Sequence, residues 1–213
     1  MTYPPAWRCE DDPRLALELA RSHPFAQLIS AQSGLRATRL PFVPDVEDGR
    51  IMRLRARLNG KNQQCVGLEG AAVLVVFSGP SSYVSPHWRM LPTRGGTFDY
   101  EEVQVRGTAR VRADKDFFCR LIDDLSALIE PQYAEAGDYP VWQTSMAPEG
   151  YIDRLFPQVT PFVVDVEAVE MISKLHQPFP LEDRISVADH LDRIRRDDSR
   201  AIAAKIRGRI EDR

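Results

Sequence analysis

The sequence has little of what several large function classes require. Its three cysteines lie far apart without a C-x-x-C pair, a pattern typical of reduced thiols rather than of a disulfide framework or a structural zinc site. A net charge of -3 argues against general nucleic-acid binding, which usually needs a basic excess. The chain has no G-x-S-x-G, P-loop or G-x-G-x-x-G motif, so triad hydrolysis, Walker-type NTPase activity and Rossmann dinucleotide binding lack support.

Long apolar stretches are also missing. No run approaches the length of a membrane-spanning helix, and the first residues form no apolar signal segment, so we expect a cytoplasmic protein. A length of 213 residues with 43% hydrophobic residues favours one elaborated domain with a sizeable core.

Alternating and continuous apolar patterns predict several strands. The run 73–77 is uniformly apolar, as in a strand buried on both sides, and the pair Gly79-Pro80 is expected to end it. Residues 53–58 alternate arginine with apolar residues, and 103–112 alternate similarly. Gly107 inside the latter indicates a bulge or a close backbone approach.

Several segments predict helices, including a short one from Pro148 to Phe156. Asp12 followed by proline starts the first helix, and Asp114 or Asp116 caps the second, which Pro131 is expected to end. Ser186 begins a long, charged C-terminal helix. Strands with a few surrounding helices indicate an α+β barrel, with residues 1–185 as its domain and 186–213 as the helix packed on or extending from it.

The arginines of the 53–58 strand allow two interpretations. Arg53, Arg55 and Arg57 share one face, where guanidinium groups match phosphate or carboxylate. Alternatively, the face is solvated and paired with the abundant acids of the chain, which alternation alone favours. A single arginine at the mouth of the barrel would still be able to serve a site.

Histidine and cysteine are the remaining candidates for metal chemistry. The four histidines show neither H-x-x-x-H nor H-E-x-x-H spacing, which argues against a dedicated non-haem metal site. His190 is expected at the surface of the C-terminal helix. Cys65 is either a soft axial ligand or reactive thiol, or an ordinary packed residue, and the lack of a visible activating neighbour favours packing.

Taken together, several motifs resemble the PaiB-type family, whose members are described as FMN-binding negative transcriptional regulators and include haem-dependent piperazate synthases. The latter form an N–N bond from an N-hydroxylated ornithine. The resemblance implies a dimeric split β-barrel with its cofactor near the interface between two barrels. The matching segments, in chain order, are 23–26, 37–42, 73–86, 98–100, 103–107 and 174–177.

Departures from the family pattern fall on its cofactor-facing motifs. Arg39, Arg57 and Gln104 stand where the family has histidines, and Arg57 replaces the axial haem ligand of the piperazate synthases. Conversely, His176 replaces the serine of Lys-Leu-Ser-Gln, and Asp99 replaces the asparagine of Thr-Trp-Asn-Tyr. Because arginine stays protonated, it is a poor iron ligand but a good partner for propionate, phosphate or carboxylate groups.

The resemblance leads to a functional hypothesis. We expect a small-molecule redox or N–N-bond-forming enzyme that uses haem or FMN, acts on an amino-acid-like substrate and forms a homodimer. The alternatives are an FMN-binding transcriptional regulator and a cofactor-free binding module; direct DNA binding is disfavoured by the acidic balance and the lack of a helix-turn-helix. The predicted cofactor-binding residues are Arg39, Arg57, Asn62, Tyr83, Ser85, Lys174 and Gln177, with His87 or His176 as the axial ligand if the cofactor is haem.

Overall fold

A computed structural model describes residues 9–90, 94–133 and 139–211. In this part of the chain, eight strands pair in the order β3-β2-β6-β7-β8-β5-β4, with β1 on β8. The strands are β1 (Cys9–Glu10), β2 (Phe25–Ser30), β3 (Arg36–Pro41), β4 (Val43–Glu47), β5 (Arg50–Asn59), β6 (Ala72–Val84), β7 (Thr97–Val111) and β8 (Val159–Lys174). The pairs β1–β8, β2–β3, β2–β6, β4–β5 and β5–β8 are antiparallel.

Five α-helices accompany these strands in the described residues: α1 (Pro13–Ser22), α2 (Lys115–Tyr133), α3 (Tyr151–Leu155), α4 (Leu181–Arg193) and α5 (Asp197–Glu211). Short 3₁₀ turns lie at Gln63–Cys65, Pro86–Trp88, Thr144–Met146 and Phe156–Gln158. The predicted α+β class, with mainly antiparallel strands and peripheral helices, is confirmed. No helix among the described residues is both long and apolar enough to cross a membrane.

The chain divides into two compact units. The first comprises the residues up to Asp11, Ser78–Val103 and Glu170–Arg213, and the second comprises Asp12–Phe77 and Gln104–Val169. The core of the second unit includes the rings of Phe42, Phe77 and Phe162, which meet edge to face at centroid distances of 6.0 and 6.2 Å. The core of the first unit is built from Val84, Leu175, Val187, Ala188, Leu191, Ile202, Ala203 and Ile206.

Alternation along β5 is confirmed, because Leu54, Ala56 and Leu58 are buried and the intervening arginines lie on the other face. The predicted close approach at Gly107 is also present. A Cβ there would lie 2.1 Å from the carbonyl oxygen of Asp165 in β8, a distance that only glycine permits.

The helix starts were predicted well for α1 and α2. The Asp12 carboxylate accepts a hydrogen bond from the backbone N–H of Arg14 at 2.9 Å. Asp114, rather than Asp116, accepts from the backbone N–H of Phe117 at 2.6 Å. Both contacts satisfy amide groups that the first helical turn leaves unpaired.

Two predicted ends are wrong. β6 continues through Gly79-Pro80 to Val84, and the buried positions change phase there, from odd numbers up to Phe77 to even numbers from Pro80. Such a change is the behaviour of a bulge, where proline is tolerated in a strand. Helix α2 continues past Pro131 to Tyr133, because a proline in the last turn removes few backbone hydrogen bonds.

The C-terminal helix starts earlier than predicted and is divided in two. Helix α4 begins at Leu181 rather than at Ser186, with two acidic residues in its first turn, where the helix dipole favours negative charge. Ile194 adopts an extended conformation and separates α4 from α5. Ile185, the end of the predicted barrel domain, lies inside α4, and that domain boundary stays a prediction.

Candidate functional site

A cavity of about 360 Å³ opens beside the start of β3 in the second unit, and we call it the β3 cavity. It is lined by Leu35, Arg36, Ala37, Thr38, Asn62 and Gln63. Its volume lies within the ~300–1,000 Å³ range of small-molecule sites. No carboxylate belongs to its lining, so an anion would meet no repulsive charge there.

Two polar side chains of the β3 cavity hold each other in place. Asn62 accepts a hydrogen bond from the backbone N–H of Gln64 at 2.9 Å and so caps the 3₁₀ turn. Its Nδ2 donates to Thr38 Oγ1 at 3.0 Å. Because the Thr38 hydroxyl accepts in this contact, its own proton remains available for a ligand oxygen.

Gln64 anchors the cavity from below, and the sequence did not single it out. Its side chain is buried, and its Nε2 donates to the carbonyl of Leu28 at 3.3 Å, to Ser30 Oγ at 2.9 Å and to the carbonyl of Arg36 at 3.4 Å. These bonds tie the 3₁₀ turn to β2 and β3. A buried glutamine in a polar run cannot be told from an exposed one by sequence pattern alone.

The predicted anion-binding Arg39 lies on β3, one residue beyond the cavity lining. It is exposed, donates from Nη2 to the carbonyl of Phe25 at 3.1 Å, and places its guanidinium 4.7 Å from the centroid of the Phe25 ring. These contacts use one face and one N–H of the guanidinium, which has five N–H groups. Arg39 therefore keeps donors for a ligand.

On β5, the two interpretations of the arginine face apply to different residues. Arg53 pairs with Asp165 at 3.2 Å, and Arg55 pairs with Asp45 and Asp124, each at 2.7 Å. Burial acts to lower the pKa of Arg55, but the hydrogen bonds to Asp124 and Asp45 outweigh it and raise that pKa above its usual value. These two arginines are therefore structural.

Arg57 differs from both. It is half-buried and has no ion-pair partner among the described residues. The register explains this difference, because Arg53 lies opposite Asp165 of β8 whereas Arg57 lies opposite Pro161. A half-buried guanidinium without a carboxylate is a suitable partner for an anionic ligand.

The other predicted residues belong to the first unit. Tyr83 is half exposed and contacts the edge of Phe98 at a centroid distance of 5.7 Å. Ser85 caps the Pro86–Trp88 turn by accepting from the backbone N–H of His87 at 3.3 Å, and the His87 side chain is exposed.

Lys174 and Gln177 are mainly engaged with their own unit. Lys174 donates to Thr97 Oγ1 and to the carbonyl of Phe98, and its Nζ lies 3.9 Å from Asp99 Oδ1. Gln177 accepts from the backbone N–H of Leu175 at 2.7 Å and donates to the carbonyl of Ser173. Gln177 thus stabilises the end of β8.

His176 is buried, and both of its ring nitrogens are used. Its Nδ1 lies 2.6 Å from Asp99 Oδ2, and Arg89 Nε donates to its Nε2 at 3.1 Å. Since Nε2 accepts from Arg89, the ring proton must be on Nδ1, where it is donated to Asp99. Metal binding through Nε2 would require Arg89 to leave.

The two candidate cofactors fit these residues differently. The β3 cavity, with hydroxyl, amide and guanidinium donors and no carboxylate, fits the phosphate group of FMN. For haem, His176 has no nitrogen available, and the half-buried Cys65 donates its thiol to the carbonyl of Asn59 at 3.4 Å. His87 is exposed, so of these three candidate ligands it alone has a side chain that is open to iron.

Comparisons with known proteins bear on the fold and the family of the chain. An uncharacterized protein of Emericella nidulans is 25% identical to the chain over an alignment of 232 positions, which covers 91% of this chain and 92% of that protein. The FAD and heme binding protein from Mycobacterium smegmatis matches 78% of this chain and 73% of its own, with 13% identity and a TM-score of 0.57. The flavocytochrome Anf3 from Azotobacter vinelandii matches 79% and 70%, with 11% identity and a TM-score of 0.55.

The likeness to these two solved structures shows the fold, which the sequence predicted as an α+β split barrel. A family model described as "Putative FMN-binding domain" matches residues 1–168 of the chain, which include the β3 cavity, Arg39 and Arg57. The match spans most of the chain, and the protein therefore belongs to this FMN-binding-domain family.

Proposed function

We propose that the protein binds FMN, holds the phosphate of FMN in the β3 cavity, and catalyses a redox reaction of a small amino-acid-like molecule. The observation that carries the proposal is the lining of this cavity, which includes Thr38, Asn62 and Arg36 and no carboxylate. Arg36 donates from Nε to the carbonyl of Ser33 at 3.2 Å, which leaves its other N–H groups for a ligand. When bound, FMN would supply hydride or single-electron transfer. The residues of the chain supply binding and orientation.

Arg57 and Arg39 would add positive charge for the anionic groups of cofactor or substrate. Arg57 has no carboxylate partner among the described residues, and Arg39 keeps free N–H donors on the exposed side of β3. An amino-acid-like substrate carries a carboxylate, which a guanidinium group binds through two parallel hydrogen bonds.

Haem and N–N bond formation receive less support from the site. One of the two histidine candidates, His176, uses both nitrogens inside the first unit. An FMN-binding regulator that contacts DNA is also less well supported. Basic residues of α5 are paired within the protein, as in the contacts of Lys205 with Glu101 and of Arg207 with Asp189, at 2.6 and 2.9 Å.

We further propose that the protein acts as a homodimer. β3 is the last strand at one end of the pairing order, and an unpaired strand edge invites contact with another chain. Phe25, Leu35 and Val66 are large apolar residues exposed in the same unit. Light scattering should give twice the 24.2 kDa mass of the chain, and a monomer at micromolar concentration would contradict this part of the proposal.

Substituting single arginines of β5 tests the cofactor assignment. Arg57→Gln should weaken FMN binding about tenfold or more, because a charged hydrogen bond contributes about 1.5–3 kcal/mol. Titration calorimetry measures the Kd. Arg53→Gln is the matched control, since Arg53 is occupied by Asp165, and it should leave the Kd within about twofold of wild type.

Equal Kd values in the two variants would remove Arg57 from the site. Thr38→Val, which keeps the shape of the side chain but deletes the hydroxyl, tests the cavity itself. An unchanged Kd in this variant would place the phosphate elsewhere.

A further inference from the structure

We propose that His176, acting through Arg89, positions the side chain of Tyr83. This role is separate from the proposed FMN site. The arrangement consists of Asp99, His176, Arg89, the Gly95–Gly96 backbone and Tyr83, and we call it the His176 network. All of its members belong to the first unit. His176 is a positioning residue here, since it acts on Tyr83 only through other groups.

The network starts at a buried hydrogen bond between a histidine and a carboxylate. Asp99 is fully buried, and its Oδ2 accepts from His176 Nδ1 at 2.6 Å. His176 also has a φ of +62°, a left-handed backbone conformation that is uncommon for residues other than glycine. The bond to Asp99 fixes the ring orientation and leaves Nε2 as an acceptor directed at Arg89.

Arg89 connects His176 to the backbone carbonyls of Arg94 and Gly95. Its side chain is almost fully buried; Nε donates to His176, and Nη1 donates to the carbonyls of Arg94 and Gly95 at 3.2 and 3.1 Å. The ring of Phe179 supports this geometry, because it stacks on His176 at 4.3 Å and lies 4.4 Å from the guanidinium carbon of Arg89. Because the planar guanidinium of Arg89 is hydrogen-bonded to His176 and to two backbone carbonyls, it fixes the position of that backbone.

That backbone lies directly against Tyr83. A Cβ on Gly96 would be 1.9 Å from the Tyr83 hydroxyl oxygen and 2.8 Å from Cε2, so the ring rests on a surface that only glycine leaves open. Phe98 contacts the ring edge-on from the following strand. Arg89 therefore sets the position of the glycine surface, and the glycine surface sets the position of the half-exposed Tyr83 ring.

Asp99 and His176 depend on each other. They lie 77 positions apart in the sequence, and the fold brings them together as a buried, hydrogen-bonded pair. A lone buried carboxylate or imidazole would be costly.

The test observes Tyr83 directly. The protein is labelled with 3-fluorotyrosine, and the Tyr83 signal among the six tyrosines is assigned by Tyr83→Phe. We expect one narrow ¹⁹F resonance for Tyr83 in the wild type and a shifted or broadened one in His176→Leu and Arg89→Lys. Arg89→Lys keeps the charge but cannot bind His176 and two carbonyls at once.

Two further variants separate positioning from general destabilisation. His176→Gln retains one donor and one acceptor and should return the Tyr83 resonance towards its wild-type position. His190→Leu removes a histidine of the same unit that stacks on Trp88 at 5.5 Å and lies outside the network, so it should leave the Tyr83 resonance unchanged. If His176→Leu does not fold, Arg89→Lys decides the result.

An unchanged Tyr83 resonance in a cooperatively folded Arg89→Lys variant would overturn the inference. A second measurement compares variants of the network: His176→Leu and Arg89→Lys should each shift the Tyr83 resonance, and the double variant should shift it no further than the larger single shift. Additive shifts in the double variant would contradict positioning. Failure of the wild type to bind FMN would refute the proposed function only, because the ¹⁹F measurement needs no ligand.

Discussion

Replacing Gly107 by alanine probes the contact that brings β7 against β8. A Cβ at this position would lie 2.1 Å from the carbonyl oxygen of Asp165 and 2.9 Å from Val164 Cγ1. Normal contacts of this kind are about 3.5 Å. The obstructing atom belongs to the backbone of β8 and cannot rotate away, unlike the end of a flexible side chain, so the strands must separate.

Overpacking of this kind costs about 1–3 kcal/mol, and we expect Gly107→Ala to lie at the upper end. A loss of about 3 kcal/mol corresponds to a Tm decrease of roughly 6–12 °C for a chain of this length. Urea unfolding followed by circular dichroism measures the free energy of unfolding, and a thermal scan measures Tm.

Gly208→Ala is the control, and we expect it to raise the free energy of unfolding instead of lowering it. Gly208 lies in α5 with no atom within 4 Å of its would-be Cβ, so alanine should stabilise the helix by up to about 1 kcal/mol. Ordinary surface substitutions change the free energy of unfolding by about 0.5 kcal/mol or less. A change of that size in Gly107→Ala would refute the close approach of β7 and β8.

Two further outcomes follow from the same contacts. Hydrogen bonds from the side chain and backbone of Arg14 lower the pKa of Asp12. The Asp12 carboxylate should therefore stabilise α1 fully above about pH 4, the pKa of aspartate in an unfolded chain. This stabilisation should be lost as the pH falls through the lower pKa of the folded protein. The stability difference between wild type and Asp12→Ala at pH 7 should thus shrink as pH is lowered below about 4 in urea titrations, and a constant difference would contradict the cap. Gly96→Ala should displace the Tyr83 ring and shift its ¹⁹F resonance, with a smaller Tm decrease than Gly107→Ala, because Tyr83 is a side chain that can move; an unshifted resonance would contradict the contact.

Local patterns predicted local structure well in this chain. Alternation located β5, the Asp12 cap located the start of α1, and the lone glycine in β7 indicated a close backbone approach. Each of these depends on residues within a few positions of one another. Proline was the misleading signal, since neither Pro80 nor Pro131 ends its element.

Pairings between distant segments could not be predicted. The division of the β5 arginines into paired and unpaired residues depends on the register with β8, which places Asp165 opposite Arg53 and Pro161 opposite Arg57. Likewise, the family comparison located the departures at Asp99 and His176, but nothing in the sequence indicated that the two side chains meet. The burial of Gln64 beneath the β3 cavity is a third case.

The identity of the cofactor is the central claim, and a spectroscopic titration tests it most directly. The purified protein is freed of bound small molecules, then titrated separately with FMN and with haem while absorbance is recorded. We predict saturable binding of one FMN per chain, with perturbed near-ultraviolet and blue flavin bands and competition by inorganic phosphate. A saturable Soret band with haem, together with no change in the FMN spectrum, would contradict the account.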